Sequence, residues 1–342
     1  MSYTIEVYRG NIKSEKHLGK FALYVAFFPQ LVAGPIEKAT KLLPQFKNKI
    51  SINIENFRKG LVYMAWGFFL KLVVADRLGM YVDQVFVNSE MYSGLPLIIG
   101  YWFFGFQIYY DFSAYTIIAI GAAKILGYDL MHNFDRPLFA TSIREFWKRW
   151  HISLIQWIHD YISVPLKEKL KYKQIVVVLI VFFIVGLWHG ANWTFIIWGL
   201  LNAFLLILEN LTNFKRKRLF RKLGISKKII SFGGWLIGIN YIMFTLIFFR
   251  ATSISHALLY IKNIFKISNL HVNILGNYFE LFLSFFLIII VQTIHFFKGN
   301  QKIHEIVLNR SQSIRWCMYI AYIFIFILLA VNRQHTFIYF QF

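Results

Sequence analysis

Apolar runs about as long as a bilayer is thick recur along this chain, and that recurrence limits its fold more than any other feature. A helix needs about 20 apolar residues to cross roughly 30 Å of hydrocarbon. It also satisfies its own backbone where no water can. Phe57–Val74, Leu95–Ile125, Ile229–Phe249, Tyr278–Phe297 and Trp316–Val331 are long enough to span. Leu18–Leu31 is apolar but short, and Pro29 and Gly34-Pro35 interrupt it, so it reads as a short span or a re-entrant segment. The expected fold is all-α: a polytopic helical membrane protein with short or re-entrant helices and interfacial amphipathic helices. No internal repeat, linker or soluble domain is visible, so residues 1–342 read as one membrane domain.

Two segments depart from simple spans. Gln174–Trp188 is apolar, His189-Gly190-Ala191-Asn192 follows, and Trp193–Leu208 is apolar again. The first arm is too short to cross, so the tip of this hairpin is expected within the membrane profile. Asn133–Lys173 is charged and rich in tryptophan. Trp147, Trp150 and Trp157 recur at helical spacing, which predicts one shared face on interfacial helices.

Composition closes off other classes. The net charge of +21 raises the question of a nucleic-acid partner. However, the basic residues cluster between apolar runs, where cytoplasmic loops are expected. Asn133–Lys173 and Phe214–Lys228 carry eight Lys/Arg each, and Lys298–Arg315 carries four. These three are placed inside, with Arg250–Asn277, the hairpin tip and the C-terminal tail outside. The single cysteine, Cys317, excludes an internal disulfide and a CxxC metal site. The polar N-terminus reads as carrying no cleavable signal peptide, so insertion is expected to use the internal spans.

His189 is the foremost candidate for chemistry. It stands in GLWHGANW, and an ionisable side chain at membrane depth is a functional hypothesis by default. Imidazole accepts a proton from a hydroxyl near neutral pH. His151, in WKRWHISL, reads equally as a polar interfacial residue. Lys148 and Arg149 read either as membrane anchors or as contacts for an anionic donor. Asp111, in YYDFSAY, suits pairing with a cation or capping of an unwound turn. The remaining histidines show no metal-site spacing, and there is no HExxH, phosphate-cradling glycine loop or GxSxG elbow.

Seven stretches, in order, resemble the membrane-bound O-acyltransferase family: SYTIEVYRG, ALYVAFFPQLVAGPIEKATKLLPQF, YYDFSAYTIIAIGAAKILGYDL, NFDRPLFATSIREFWKRWHISLIQWIHDYISVPL, GLWHGANWTFIIWG, IFFRATSISHAL and FIYFQF. The similarity is to the bacterial branch holding alginate and peptidoglycan O-acetyltransferases and the D-alanyl transfer protein of teichoic acids. The resemblance implies that His189 is the essential catalytic histidine and that His151 lies near the reaction tunnel. It makes Trp188 and Asn192, with Asp111, supporting residues. Arg149, Lys148 and Trp150 are expected to meet the donor, an acetyl-CoA or acyl-carrier-protein thioester, with no tightly bound cofactor and no metal. A C-terminal F-x-Y-x-x-F pattern matches Phe337, Tyr339 and Phe342 and makes Tyr339 the expected acyl acceptor.

The resemblance also implies a bacterial cytoplasmic membrane, an extracytoplasmic transferase partner and a polysaccharide acceptor such as alginate or peptidoglycan. Relative to the family, the chain is expected to lack N-terminal spans, since it starts inside a matching stretch. D-alanyl transfer, a transporter without bond chemistry and a non-catalytic scaffold are the competing expectations.

Overall fold

The structure is a computed structural model that describes residues 1–31, 33–48, 53–171, 173–266, 272–299, 301–331 and 337. Among these, every regular element is helical. Helices α1 (Ser2–Tyr8), α2 (Leu18–Val25), α3 (Ala39–Lys47) and α4 (Ile54–Phe68) come first. A π-helical turn over Phe69–Ala75 carries α4 directly into α5 (Asp76–Val87). The long α6 (Leu95–Ile125) follows. After a 3₁₀ turn at Pro137–Phe139 come α7 (Ile143–Arg149), α8 (Ile152–Ile158), a π turn at His159–Ser163 and α9 (Val164–Leu170). The remainder is α10 (Gln174–His189), α11 (Trp193–Lys222), α12 (Lys227–Arg250), α13 (Ile254–Ile264), α14 (Tyr278–Lys298), α15 (Ile303–Leu308) and α16 (Gln312–Leu329).

Among the described residues, α11, α12, α14 and α16 are the four helices long and apolar enough to cross a membrane. The chain is a membrane protein on that ground. No residue of α16 is buried, and an apolar helix this exposed suits lipid contact. The spans expected at Ile229–Phe249, Tyr278–Phe297 and Trp316–Val331 emerge within a few residues. Phe57–Val74 and Leu95–Ile125 are helical but stand outside those four. Leu18–Leu31 yields only the eight-residue α2, which is too short to span.

Two expectations are corrected. Phe214–Lys228 was expected as a loop, yet α11 continues through its basic residues to Lys222. Lysine and arginine are good helix formers, and cations at a helix C-terminus oppose its dipole favourably. Trp147, Trp150 and Trp157 do not share one helical face, because the helix breaks at Trp150-His151.

By internal contacts the chain divides into two compact units. The first holds residues 1–76, 110–133 and 288–339. Its core joins Phe27 to Leu42, Leu43 and Phe46 of α3, with Tyr63 of α4 and Ile120 and Ala123 of α6. Helices α4 and α6 touch backbone to backbone. A Cβ on Gly60 would lie 2.6 Å from the Gly121 carbonyl, and one on Gly121 would lie 2.7 Å from the Gly60 carbonyl. In lipid there is little hydrophobic drive between helices, so such small-residue contacts supply the packing. The partly buried Lys71 sits 2.8 Å from both buried carboxylates, Asp76 and Asp111.

The second unit holds residues 77–109 and 134–287. Tyr81, Phe103, Phe104, Met243, Ile247 and Tyr260 are among its fully buried large side chains. The buried hydroxyl of Tyr260 donates to the Leu97 carbonyl at 2.8 Å, so the ring is buried without stranding its polar end. Ser142 caps α7 by accepting the Glu145 amide at 3.1 Å. The Glu209 carboxylate of α11 accepts the Ile143 amide at 2.7 Å. These bonds fix the start of α7, and with it the break that follows at His151.

Candidate active site

The site lies within the second unit and begins with the hairpin of α10 and α11. Helix α10 has 16 residues, about 24 Å of rise, which falls short of the hydrocarbon core. Its arms close tightly because neither carries a side chain at the crossing. A Cβ on Gly186 would lie 2.6 Å from the Phe195 carbonyl, and one on Gly199 would lie 2.4 Å from that of Phe182. The tip is fixed by Asn192. Its side-chain oxygen accepts the Thr194 amide at 3.0 Å, capping α11, and its Nδ2 donates to the Thr252 carbonyl at 3.0 Å, just beyond α12.

His189 ends α10 inside an aromatic enclosure. Its ring centroid is 4.9 Å from Phe249, 5.1 Å from Trp198 and 4.8 Å from Trp188, each close to perpendicular. Phe195 adds a fourth wall at 6.5 Å. Trp188 is half exposed and forms the outward side. Perpendicular aromatic contacts restrict how an imidazole can tilt, as they do for any ring pair.

His151 is buried and joins the same cluster, its ring centroid 6.2 Å from that of Trp188. It occupies the break between α7 and α8 with φ +42° and ψ +54°, the left-handed region that non-glycine residues rarely adopt. Backbone strain of this kind, of order 1–3 kcal/mol, persists where the surroundings fix it and clusters at functional sites. Here it turns the chain so that α8 leaves in a new direction. Burial, and secondarily the charge of His189, hold the His151 imidazole well below its usual titration range.

The expected donor residues are not equivalent. Lys148 is exposed. Arg149 is only partly exposed; it pairs with Glu145 at 2.5 Å and donates to the Arg136 carbonyl at 3.5 Å. Burial raises the Glu145 carboxyl, but hydrogen bonds from Thr141 and then Arg149 bring it below its usual range. Arg149 is therefore largely engaged in holding α7. Trp150 stacks on Phe146 at 5.5 Å and meets Phe134 edge-on at 5.1 Å.

Asp111 stands in the first unit, with Lys71 as its partner, which accounts for its cost at membrane depth. Tyr339 and Phe342 lie outside the described residues. Phe337 is buried in the first unit, stacked 4.6 Å from Tyr115. Among the described residues no three His, Cys, Asp or Glu side chains stand close enough to hold a metal ion.

Sequence reasoning missed Trp198 and Phe249. Both lay within quoted stretches, GLWHGANWTFIIWG and IFFRATSISHAL, but neither carries a titratable group that draws attention. It also missed Arg250, which pairs with Asp83 at 2.7 Å, and His256, which bonds the Phe86 carbonyl at 3.0 Å.

Comparison with known proteins now decides the family. The profile of MBOAT, the membrane-bound O-acyltransferase family, matches residues 11–249. The chain belongs to that family. The histidine pair, Trp188, Trp198 and Phe249 all fall within the matched range. This membrane-bound O-acyltransferase chain is 36% identical over 256 residues to the peptidoglycan O-acetyltransferase of Helicobacter pylori, covering 73% of this chain and 47% of that one. It is 37% identical over 214 residues to a probable alginate O-acetylase of Azotobacter vinelandii, covering 61% and 42%. Similarity to the teichoic acid D-alanyltransferase of Streptococcus thermophilus is lower, 25% over 225 residues, covering 61% and 54%. The chain thus spans about half the length of the curated relatives it matches.

Proposed function

We propose that this chain is the membrane-bound part of a bacterial O-acetylation system, transferring an acetyl group from a cytoplasmic thioester to an acceptor hydroxyl. The observation that carries the reading is the enclosure of His189, with His151 in the same aromatic cluster, at the tip of a hairpin whose first arm is too short to cross the membrane. The profile match and the 36–37% identity to proteins named as O-acetyltransferases and O-acetylases support it.

In this proposal His189 is the general base. It takes the proton of the acceptor hydroxyl as that oxygen attacks the thioester carbonyl carbon. The tetrahedral species collapses, the C–S bond breaks, and the imidazolium returns the proton to the leaving thiolate. His151, neutral and buried, orients the reacting groups. Lys148 contributes positive charge for an anionic donor such as acetyl-CoA or an acyl-carrier protein, and Trp150 flanks it. Arg149 acts mainly through α7. Tyr339 is the proposed first acceptor, with an extracytoplasmic transferase passing the acetyl group to a polysaccharide such as alginate or peptidoglycan. An unperturbed phenol has a pKa near 10, so a base is needed at neutral pH. D-alanyl transfer ranks below acetyl transfer because the identity to the D-alanyltransferase is lower.

The test is expression from the natural locus of wild type, His189→Ala and Tyr339→Phe at matched membrane levels. Ester-linked acetate on the cell-envelope polysaccharide is measured together with the mass of the C-terminal peptide. The proposal expects loss of acetate in His189→Ala and an acetylated Tyr339 peptide in wild type alone. Normal acetate in a membrane-inserted His189→Ala protein would sink the general-base role and favour a scaffold. Normal acetate in Tyr339→Phe would remove only the tyrosine relay.

A further inference from the structure

The first unit contains a cavity lined by charged side chains, none of which the proposed acyl transfer uses. It has a volume of about 410 Å³ and is formed by Lys59 and Tyr63 of α4, Lys124 at the end of α6, His132, and Lys302 and His304 at the start of α15. We propose that this cavity binds the phosphate of an anionic phospholipid.

Three ammonium groups from three separate chain segments converge there, and lysine serves phosphate as a compact, strongly hydrated point charge. Two already have carboxylate partners, Lys59 with Glu55 and Lys124 with Asp129, and Asp129 itself lines the cavity. Those carboxylates are 69% and 76% exposed, whereas the lysine side chains are 26% and 20% exposed. The acids are thus well solvated, and such exposed pairs are weak and exchangeable. His304 is buried, packs edge-on to Tyr63 at 5.1 Å, and leaves Nδ1 without a hydrogen-bond partner. Buried polar atoms are rarely left so. Burial lowers the His304 titration range first; Glu305 opposes this, and Lys59, Lys302 and Lys124 lower it further. The three lysines therefore act on one point.

The surroundings favour a lipid over a free phosphate. Lys59 and His304 also line an adjoining groove of about 500 Å³ with Arg58 and Arg315. Those two arginines in turn border a more apolar groove of about 510 Å³ that runs along α4 and α16 past Leu61, Trp316 and Tyr319. A cationic pocket grading into an apolar, aromatic-lined groove beside a helix with no buried residue matches a headgroup followed by an acyl chain.

The experiment uses the full chain purified in a neutral detergent. Saturable binding of fluorescent short-chain phosphatidylglycerol is compared with phosphatidylcholine of the same chains, with adenosine 3′,5′-bisphosphate and inorganic phosphate as competitors. Phosphatidylglycerol should bind at least tenfold tighter than phosphatidylcholine. Lys124→Gln/Lys302→Gln should weaken it at least tenfold, while Lys227→Gln/Lys228→Gln, which removes the same charge elsewhere, should not. Lys302→Glu, at an exposed position, gives the same answer if the double variant fails to fold. Equal affinity for the two lipids, equal loss in the control pair, or unchanged binding in Lys302→Glu would overturn the proposal. Tighter binding of the bisphosphate than of phosphatidylglycerol, lost in Lys302→Glu, would keep a phosphate site but overturn its assignment to lipid.

Discussion

The rings of His189 and Trp198 stand 88° apart with centroids separated by 5.1 Å, and Phe249 touches both at 4.9 and 5.0 Å. The three rings form a closed triangle, so the imidazole tilt depends on residues that have no chemistry of their own. Phe249→Ala opens one side of it. Misplacing a catalytic group by about 1 Å can cost a hundredfold in rate. If His189 is the base as proposed, Phe249→Ala should therefore lower the proposed acetylation by about ten- to a hundredfold, read as ester-linked acetate per unit of membrane-inserted protein. Phe249→Tyr, which keeps the ring, should retain most of it.

The same hairpin yields a stability prediction. Gly186→Ala places a Cβ 2.6 Å from the Phe195 carbonyl, and a backbone atom cannot move aside cheaply. Overpacking of this kind costs about 1–3 kcal/mol. The melting temperature in detergent should fall, and the proposed acetylation should fall with it because His189 lies one turn away. Gly233→Ala in α12, with no atom within 4 Å of the added Cβ, should lower neither, and its better helix propensity favours the folded state.

The helical class, the three C-terminal spans and the position of His189 were legible because each rests on local information. Run length reports a span, and an ionisable residue at a short hairpin's tip stands out against apolar neighbours. The break at Trp150-His151 was not legible, since tryptophan spacing assumes an unbroken helix and nothing in WKRWHISL forces a left-handed residue. The cage of Trp198 and Phe249 was hidden for another reason. Aromatic residues fill the whole chain, and only tertiary packing distinguishes those facing a histidine from those facing lipid. Glu145 shows the same limit. Its pairing with Arg149 could not be read from charge alone.

Lys71, Asp76 and Asp111 make the clearest buried ionic group, with the two carboxylate side chains each 3% exposed. Removing one partner of a buried pair typically costs about 3–5 kcal/mol, because the remaining charge is left without compensation. Lys71→Met removes the cation that bridges two buried carboxylates and should lower the melting temperature sharply. Lys71→Met/Asp111→Asn should recover part of the loss. Additive losses in that double variant would argue against coupling between Lys71 and Asp111.

His151 gives a pH prediction whose sign follows from its burial. Its folded-state titration lies well below the ordinary value of 6.5, with burial the main cause and His189 the second. Above that ordinary value the imidazole is neutral whether the chain is folded or not, and it contributes no pH dependence. As pH falls below it, the unfolded chain takes up a proton that the folded chain refuses, so stability drops until the folded value is reached. The slope approaches about 1.4 kcal/mol per pH unit for one proton. Thermal stability of wild type should therefore decline from pH 6.5 towards pH 5 more steeply than that of His151→Gln, which has no proton to exclude. Parallel profiles for the two proteins would mean that His151 reaches water and is charged in the folded state.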